Sequence, residues 1–147
     1  MRKAVLLVLL AGCEPGEVRP VFDTDDSGGS VCPASVPGLS FTLGGRVLEG
    51  ATPRQGATVR LEDRSARPVT VFGTATSGAD GRFQLQATDV VGWPECWNLL
   101  TEHYVVATLD SLEGEVFVNK ELSEATRDDE DVIDLTSRPV LLKPAQD

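Results

Sequence analysis

Three cysteines, one histidine and a few clusters of acids and aromatics are the side chains of this 147-residue chain whose type and spacing could do chemistry. Cys13 closes the run AVLLVLLAG, which puts a thiol directly at the end of an apolar segment. Cys32 and Cys96 could pair with each other. With only His103 to add, they match no zinc pattern, because a structural zinc takes four Cys or His ligands at short spacings. Nucleophilic catalysis by Cys96 with His103 would need an exposed, unpaired thiol. No Gly-x-Ser-x-Gly elbow supports a serine nucleophile, and Gly28-Gly29 lacks the Lys and helix of a phosphate loop.

Two acidic runs invite a metal or a hydrolytic reading, and neither sustains it. Asp23-Thr24-Asp25-Asp26-Ser27-Gly28 begins like a calcium loop. Its twelfth position is Ala34 instead of a bidentate Glu, and Pro33 and Pro37 forbid the exiting helix. Asp128-Asp129-Glu130-Asp131 is contiguous, whereas glycosidase carboxylates are defined by their separation in space. The first reads as a solvated acidic spacer and the second as a solvated loop. No catalytic residue, metal or cofactor is therefore expected, and the chain reads as a non-enzyme. Trp93, Trp97 and Tyr104 form the candidate binding set, since aromatics on a loop can stack on sugars or anchor a partner protein. The tryptophans could equally pack over a Cys32–Cys96 bridge, and Pro94 and Cys96 between them favour that packing.

The elements that must position these residues begin with an address. Arg2 and Lys3 open the chain, Ala4 to Leu10 form an apolar core, and Ala11-Gly12 supply small residues before Cys13. The core is far shorter than the roughly 20 apolar residues a membrane span needs, so it reads as an export signal. Leu10-Ala11-Gly12-Cys13 resembles the lipobox of bacterial lipoproteins. The resemblance implies that the Cys13 thiol receives a diacylglycerol, that residues 1–12 are removed, and that the new amino end is acylated. Several long chains on one residue would hold a membrane firmly, at about 0.8 kcal/mol per buried methylene. Glu14 stands where an aspartate often marks inner-membrane retention in enteric bacteria, which points to the outer membrane, on its periplasmic or surface face. Export also places Cys32 and Cys96 in an oxidising compartment, where two leftover thiols pair. Such a bridge would close a long loop worth about 4 kcal/mol in chain entropy. Two buried unpaired cysteines are the alternative.

Residues 13–38 read as a flexible tether, broken by Pro15, Pro20, Pro33 and Pro37 and loosened by Gly16, Gly28, Gly29 and Gly38. From residue 39 to 147 the pattern changes to short runs of period two. Phe41-x-Leu43-x-Gly45-x-Val47, Ala57-x-Val59-x-Leu61, Val69-x-Val71 and Phe83-x-Leu85-x-Ala87 each put apolar residues on one face. Tyr104 to Leu109 is denser and suggests a central strand; Val116, Val118 and Leu122 are read as another strand. Val132 to Leu135 and Val140 to Leu142 close the chain. Ser77-Gly78-Ala79-Asp80-Gly81 predicts a hairpin turn. The one helix candidate, of at most about two turns, is Trp97 to Glu102. This is the pattern of an all-β, antiparallel β sandwich.

GGRVLEGATPRQGATVRLED, then TATSGADGRFQLQA, then YVVATLDSLEG, resembles the carboxypeptidase regulatory-like domain. That likeness implies a seven-stranded, Greek-key, transthyretin-like sandwich over roughly residues 40–143, serving as a non-catalytic module. The chain departs from the family in the insertion VVGWPECWNLLTEH and in the acidic loop Arg127 to Asp131. Net charge is −10, and loss of Arg2 and Lys3 would make it more negative, so nucleic acid is set aside as a partner. The expected function is that of an envelope lipoprotein held to the membrane by its lipid anchor, with a structural or protein-docking role. A carbohydrate-binding lipoprotein using the Trp93/Trp97 loop is the alternative, with an envelope protein or a glycan as partner. A lipid-anchored hydrolase is the third reading.

Overall fold

A computed structural model describes residues 36–65, 67–92 and 101–146, all within the unit Pro33–Asp147. Cys13, Cys32, Cys96, Trp93 and Trp97 lie outside the described residues, as do the export signal, the calcium-like run and the Trp97 helix candidate.

The described chain is mostly β structure in two sheets, a sandwich-like all-β fold. Its strands are β1 (Val36–Glu49), β2 (Thr52–Pro53), β3 (Thr58–Asp63), β4 (Thr70–Thr76), β5 (Arg82–Gly92), β6 (His103–Leu109), β7 (Leu112–Phe117), β8 (Val132–Asp134), β9 (Val140–Leu141) and β10 (Lys143–Pro144). One helix, α1 (Asn119–Arg127), follows β7. Sheet I is organised around the 14-residue β1. It pairs antiparallel with β5 and β2, and parallel with β8 and β9. Sheet II has the order β10-β7-β6-β3-β4 and is antiparallel throughout.

Alternation explains the core. Phe41, Leu43 and Val47 of β1 point inward, as do Val59 and Leu61 of β3, Phe83, Leu85 and Ala87 of β5, and Val105 and Ala107 of β6. Apolar residues at every second position line one face of a pleated strand, so each run contributes one wall. The Tyr104 to Leu109 run is an interior strand of its sheet, as its density predicts.

Five expectations need correction. The body starts before residue 39: β1 begins at Val36, which pairs with Gly92, so three residues read as tether belong to the sheet. Sheet I is mixed, not purely antiparallel, because the chain crosses over through α1 before β8 returns alongside β1. The Ser77–Gly81 turn reverses the chain but makes no hairpin: β4 before it belongs to sheet II and β5 after it to sheet I. Gly81 is needed there twice over, since its φ is +77° and a Cβ would meet the Val47 carbonyl oxygen at 2.6 Å. Ser77 secures the same corner, its hydroxyl donating to the Arg54 carbonyl (2.7 Å) and accepting from the Ala57 amide (2.9 Å).

The fourth correction is Asn119–Arg127, which is helical although the apolar spacing predicts a strand through Leu122. Asn119, Leu122 and Ala125 are buried at spacing three, one stripe of a helix. The C-terminus closes in a Schellman motif: Asp129 takes φ 57°, and the amides of Asp129 and Glu130 donate to the carbonyls of Thr126 and Ala125. Val69 and Val71 also turn outward, at 38% and 47% exposure, because the β3–β4 register shifts between Leu61 and Glu62 and flips the alternation. Phe72 and Ala75 pack against the core instead.

Candidate functional site

The residues that alternate with the core positions of sheet II form its outer face. On β3 these are Arg60 and Glu62, on β6 Tyr104 and Val106, and on β7 Glu115 and Phe117. Register arranges them in two rows. Val71, Glu62, Tyr104 and Phe117 stand side by side across four strands, and Arg60, Val106 and Glu115 form the next row.

The charges on this face are chained together. Glu62 is 6% exposed, and its two oxygens accept separately from Arg60 Nε (3.2 Å) and Arg64 Nε (2.7 Å). Arg64 Nη1 donates onward to Glu115 at 2.6 Å. The Arg64 guanidinium also lies over the Tyr104 ring, 4.8 Å from its centroid. Burial alone would lower the Arg64 pKa, but the hydrogen bonds and charges of Glu62 and Glu115 more than offset it and raise the group above its usual value. Tyr104 in turn meets Phe117 with centroids 5.2 Å apart and rings tilted by 57°. Val106 is fully buried beneath this layer although it faces away from the core. The face is thus a patch that mixes an aromatic pair, apolar edges and charges of both signs. Its chemistry is that of recognition: Tyr and Arg dominate the energetics of protein interfaces.

The sheet corner below holds the chain's single imidazole. His103 is fully buried, its ring stacked on Phe72 at 5.5 Å and 25°. Burial pushes its pKa down, against the opposing pull of the Asp63 carboxylate and a hydrogen bond with the Asn119 side chain. Asn119, at the first turn of α1, accepts from the His103 amide (2.8 Å) and donates to the Thr101 carbonyl (2.7 Å), fixing the entry of β6. Asp63 accepts from the Ser65 amide and hydroxyl and from the Glu102 amide. Burial raises the Asp63 pKa, and these hydrogen bonds outweigh it, leaving the carboxyl below its usual range.

Of the sequence-derived candidates, Tyr104 lies in this patch, while Trp93, Trp97, Cys13, Cys32 and Cys96 lie outside the described residues. Arg60, Glu62, Arg64, Glu115 and Phe117 were missed. The signal for the first two is the alternation itself, since what places Val59 and Leu61 inward places Arg60 and Glu62 outward. Glu115 and Phe117 join them only through strand register. Among the described residues, no group of three His, Cys, Asp or Glu side chains could hold a metal ion. No helix among them is long and apolar enough to cross a membrane. No protein-family model, curated protein or solved structure matches this chain.

Proposed function

We propose that this protein is a bacterial envelope lipoprotein, anchored through acylated Cys13, whose β sandwich is a non-catalytic docking module. The observation that carries the docking role is the outer face of sheet II, where the Arg60–Glu62–Arg64–Glu115 chain fixes Arg64 over the Tyr104 ring and Tyr104 packs against Phe117. A pre-ordered aromatic and guanidinium surface loses little conformational entropy on association. Its partner is a protein of the envelope that presents an apolar anchor framed by charges of both signs. The basic start, apolar core and Leu10-Ala11-Gly12-Cys13 of the N-terminus support the anchor. Full burial of His103 also favours a non-enzymatic reading, because the single imidazole is withdrawn from solvent. In this proposal the body is the seven-stranded, Greek-key, transthyretin-like sandwich of the carboxypeptidase regulatory-like family, the outer membrane is its site, and a Cys32–Cys96 bridge ties the tether to it.

Extraction of membranes in mild detergent tests both halves. The intact mass should show a chain starting at residue 13 with added acyl groups, and Cys13→Ala should abolish processing and that mass increment. The native protein should migrate as part of an assembly larger than the monomer, and Tyr104→Ser with Phe117→Ser should shift it to monomer without unfolding it. A wild-type monomer in mild detergent would overturn docking, and an unmodified, uncut chain would overturn the anchor.

A further inference from the structure

The outer face of sheet I contains a glycine that the fold does not require. Gly45, its neighbour on β1, faces Phe83, and a Cβ there would lie 2.7 Å from that ring. At Gly44 a Cβ would meet nothing within 4 Å, and its φ is not in the left-handed range. A glycine inside a strand costs stability, and where no packing or backbone reason demands it, it marks a place that something else approaches closely.

The side chains around Gly44 indicate what approaches. Gly44 sits between Gln84 of β5 and Asp134 of β8, and two residues further along β1, on the same face, Arg46 stands directly opposite Arg82. With Thr42 and Thr136 these groups line a recess of about 280 Å³, floored by bare backbone. Like charges placed opposite each other on a sheet destabilise it, and here the two guanidiniums sit in register on a chain of net charge −10. Their local partners satisfy them only in part. Arg46 donates one Nη2 bond to the Asp80 carbonyl, and its Nε is buried with no acceptor among the described residues. Arg82 Nε is 3.4 Å from Asp80 Oδ2, in a pair of which both members are more than half exposed. Asp134 accepts twice from Thr136 through Oδ1. Those bonds hold its carboxyl below the usual range, with Arg82 adding to the effect, and Oδ2 remains to accept from a ligand.

Arg46, Arg82 and Asp134 line the recess, and Asp80 beside it pairs with Arg82, so with that pair counted the charges balance and the recess suits a neutral ligand that bears both signs. We propose that the recess over Gly44 binds a small amino-carboxylate, with Arg46 and Arg82 receiving its carboxylate and Asp134 its ammonium group. Guanidinium forks match a carboxylate in geometry as well as charge. The volume admits one small molecule, and the glycine lets its body rest on the β1 backbone. The recess is on the opposite sheet from the docking face and is independent of that reading.

The full mature protein in detergent, titrated calorimetrically with glycine, β-alanine and 4-aminobutyrate, tests this across a series of increasing charge separation. At least one should bind with a Kd on the order of 1 mM, and acetate and methylammonium should each bind about tenfold more weakly or not at all. Gly44→Val leaves the fold intact, since the space is open, and should weaken binding at least about tenfold by filling the floor. Asp134→Asn should weaken the amino-carboxylates severalfold and leave acetate unchanged. Absence of binding by all three probes overturns the proposal. So does acetate binding as tightly as the best of them, which would mean an anion site only, or Gly44→Val binding at full strength.

Discussion

The two sheets treat their outer faces in opposite ways. On sheet II the charged groups neutralise one another within the protein: Glu62 is enclosed by two arginines, Arg64 reaches Glu115, the Tyr104 and Phe117 rings meet, and Val106 on the same face is fully buried. On sheet I the charged groups surround an open floor, and the arginines retain donor capacity. A face whose polar groups are mutually satisfied resists further small ligands and offers a finished surface to another macromolecule. A face with unspent donors around a gap is arranged for something small to complete it. Polar residues on a sheet are therefore not uniformly solvation; how far they satisfy one another separates the two roles.

The largest expected effect breaks the closed face from within. Glu62→Ala removes a nearly buried carboxylate and leaves Arg60 and Arg64 side by side without their shared acceptor. It should destabilise the protein by about 2–3 kcal/mol, read from urea unfolding. Arg82→Met on the open face, at an exposed side chain, should change stability by less than about 0.5 kcal/mol. Equal costs for the two would dissolve the distinction drawn between the faces. Next in size is Asn119→Ala, at about 2 kcal/mol, because it strands the His103 amide and the Thr101 carbonyl in a buried corner. If Asn119→Ala unfolds at the wild-type urea midpoint, the corner is not what supports the edge of the closed face.

Much of this body is legible in the sequence because a strand advertises its inner face every second residue. Phe41, Leu43 and Val47, and Phe83, Leu85 and Ala87, are core residues for that reason alone. The rule fails where a register shift intervenes, as at Val71, because a bulge leaves no trace in a pattern of apolar residues. It also fails at Val118 to Leu122, where a period-two run passes into a helix too short to establish its own period. Asn119 is invisible for a related reason: its partners, Thr101 and His103, are distant in sequence, and nothing local signals a buried amide. The sites divide in the same way. Tyr104 stood out as an aromatic, but its Arg64 neighbour and the Glu115 contact depend on which strands meet. Gly44 appeared in sequence only as one half of Gly44-Gly45, two residues that face opposite sides of the sheet for unrelated reasons.

A smaller and favourable effect sharpens the contrast from the other side. Gly44→Val should stabilise the protein by about 0.5–1 kcal/mol, since it gives the central strand a β-forming residue in open space. The same change at Gly45 would collide with Phe83 and destabilise it. A loss of stability with Gly44→Val would show that the open floor serves the fold.

Near neutrality the smallest change comes from pH, and its sign follows from His103. Burial holds the folded imidazole below its ordinary value of 6.5. As pH falls through that value the unfolded chain takes up a proton that the folded chain refuses, so unfolding is favoured and stability declines. Asp63 and Asp134 act later and in a separate range. Their folded pKa values lie below 3.8, so the stability they contribute is present above that value and fades as pH drops beneath it. The urea midpoint should therefore decline in two stages, the first belonging to the corner under sheet II alone. His103→Gln should remove the first stage, measured between about pH 7.5 and pH 5.5, and leave the second. Asp134→Asn, on the open face, should leave the first stage untouched. If the wild-type midpoint is flat across the first interval, His103 is not held neutral by its surroundings, and the corner beneath the closed face is wetter than its packing against Phe72 implies.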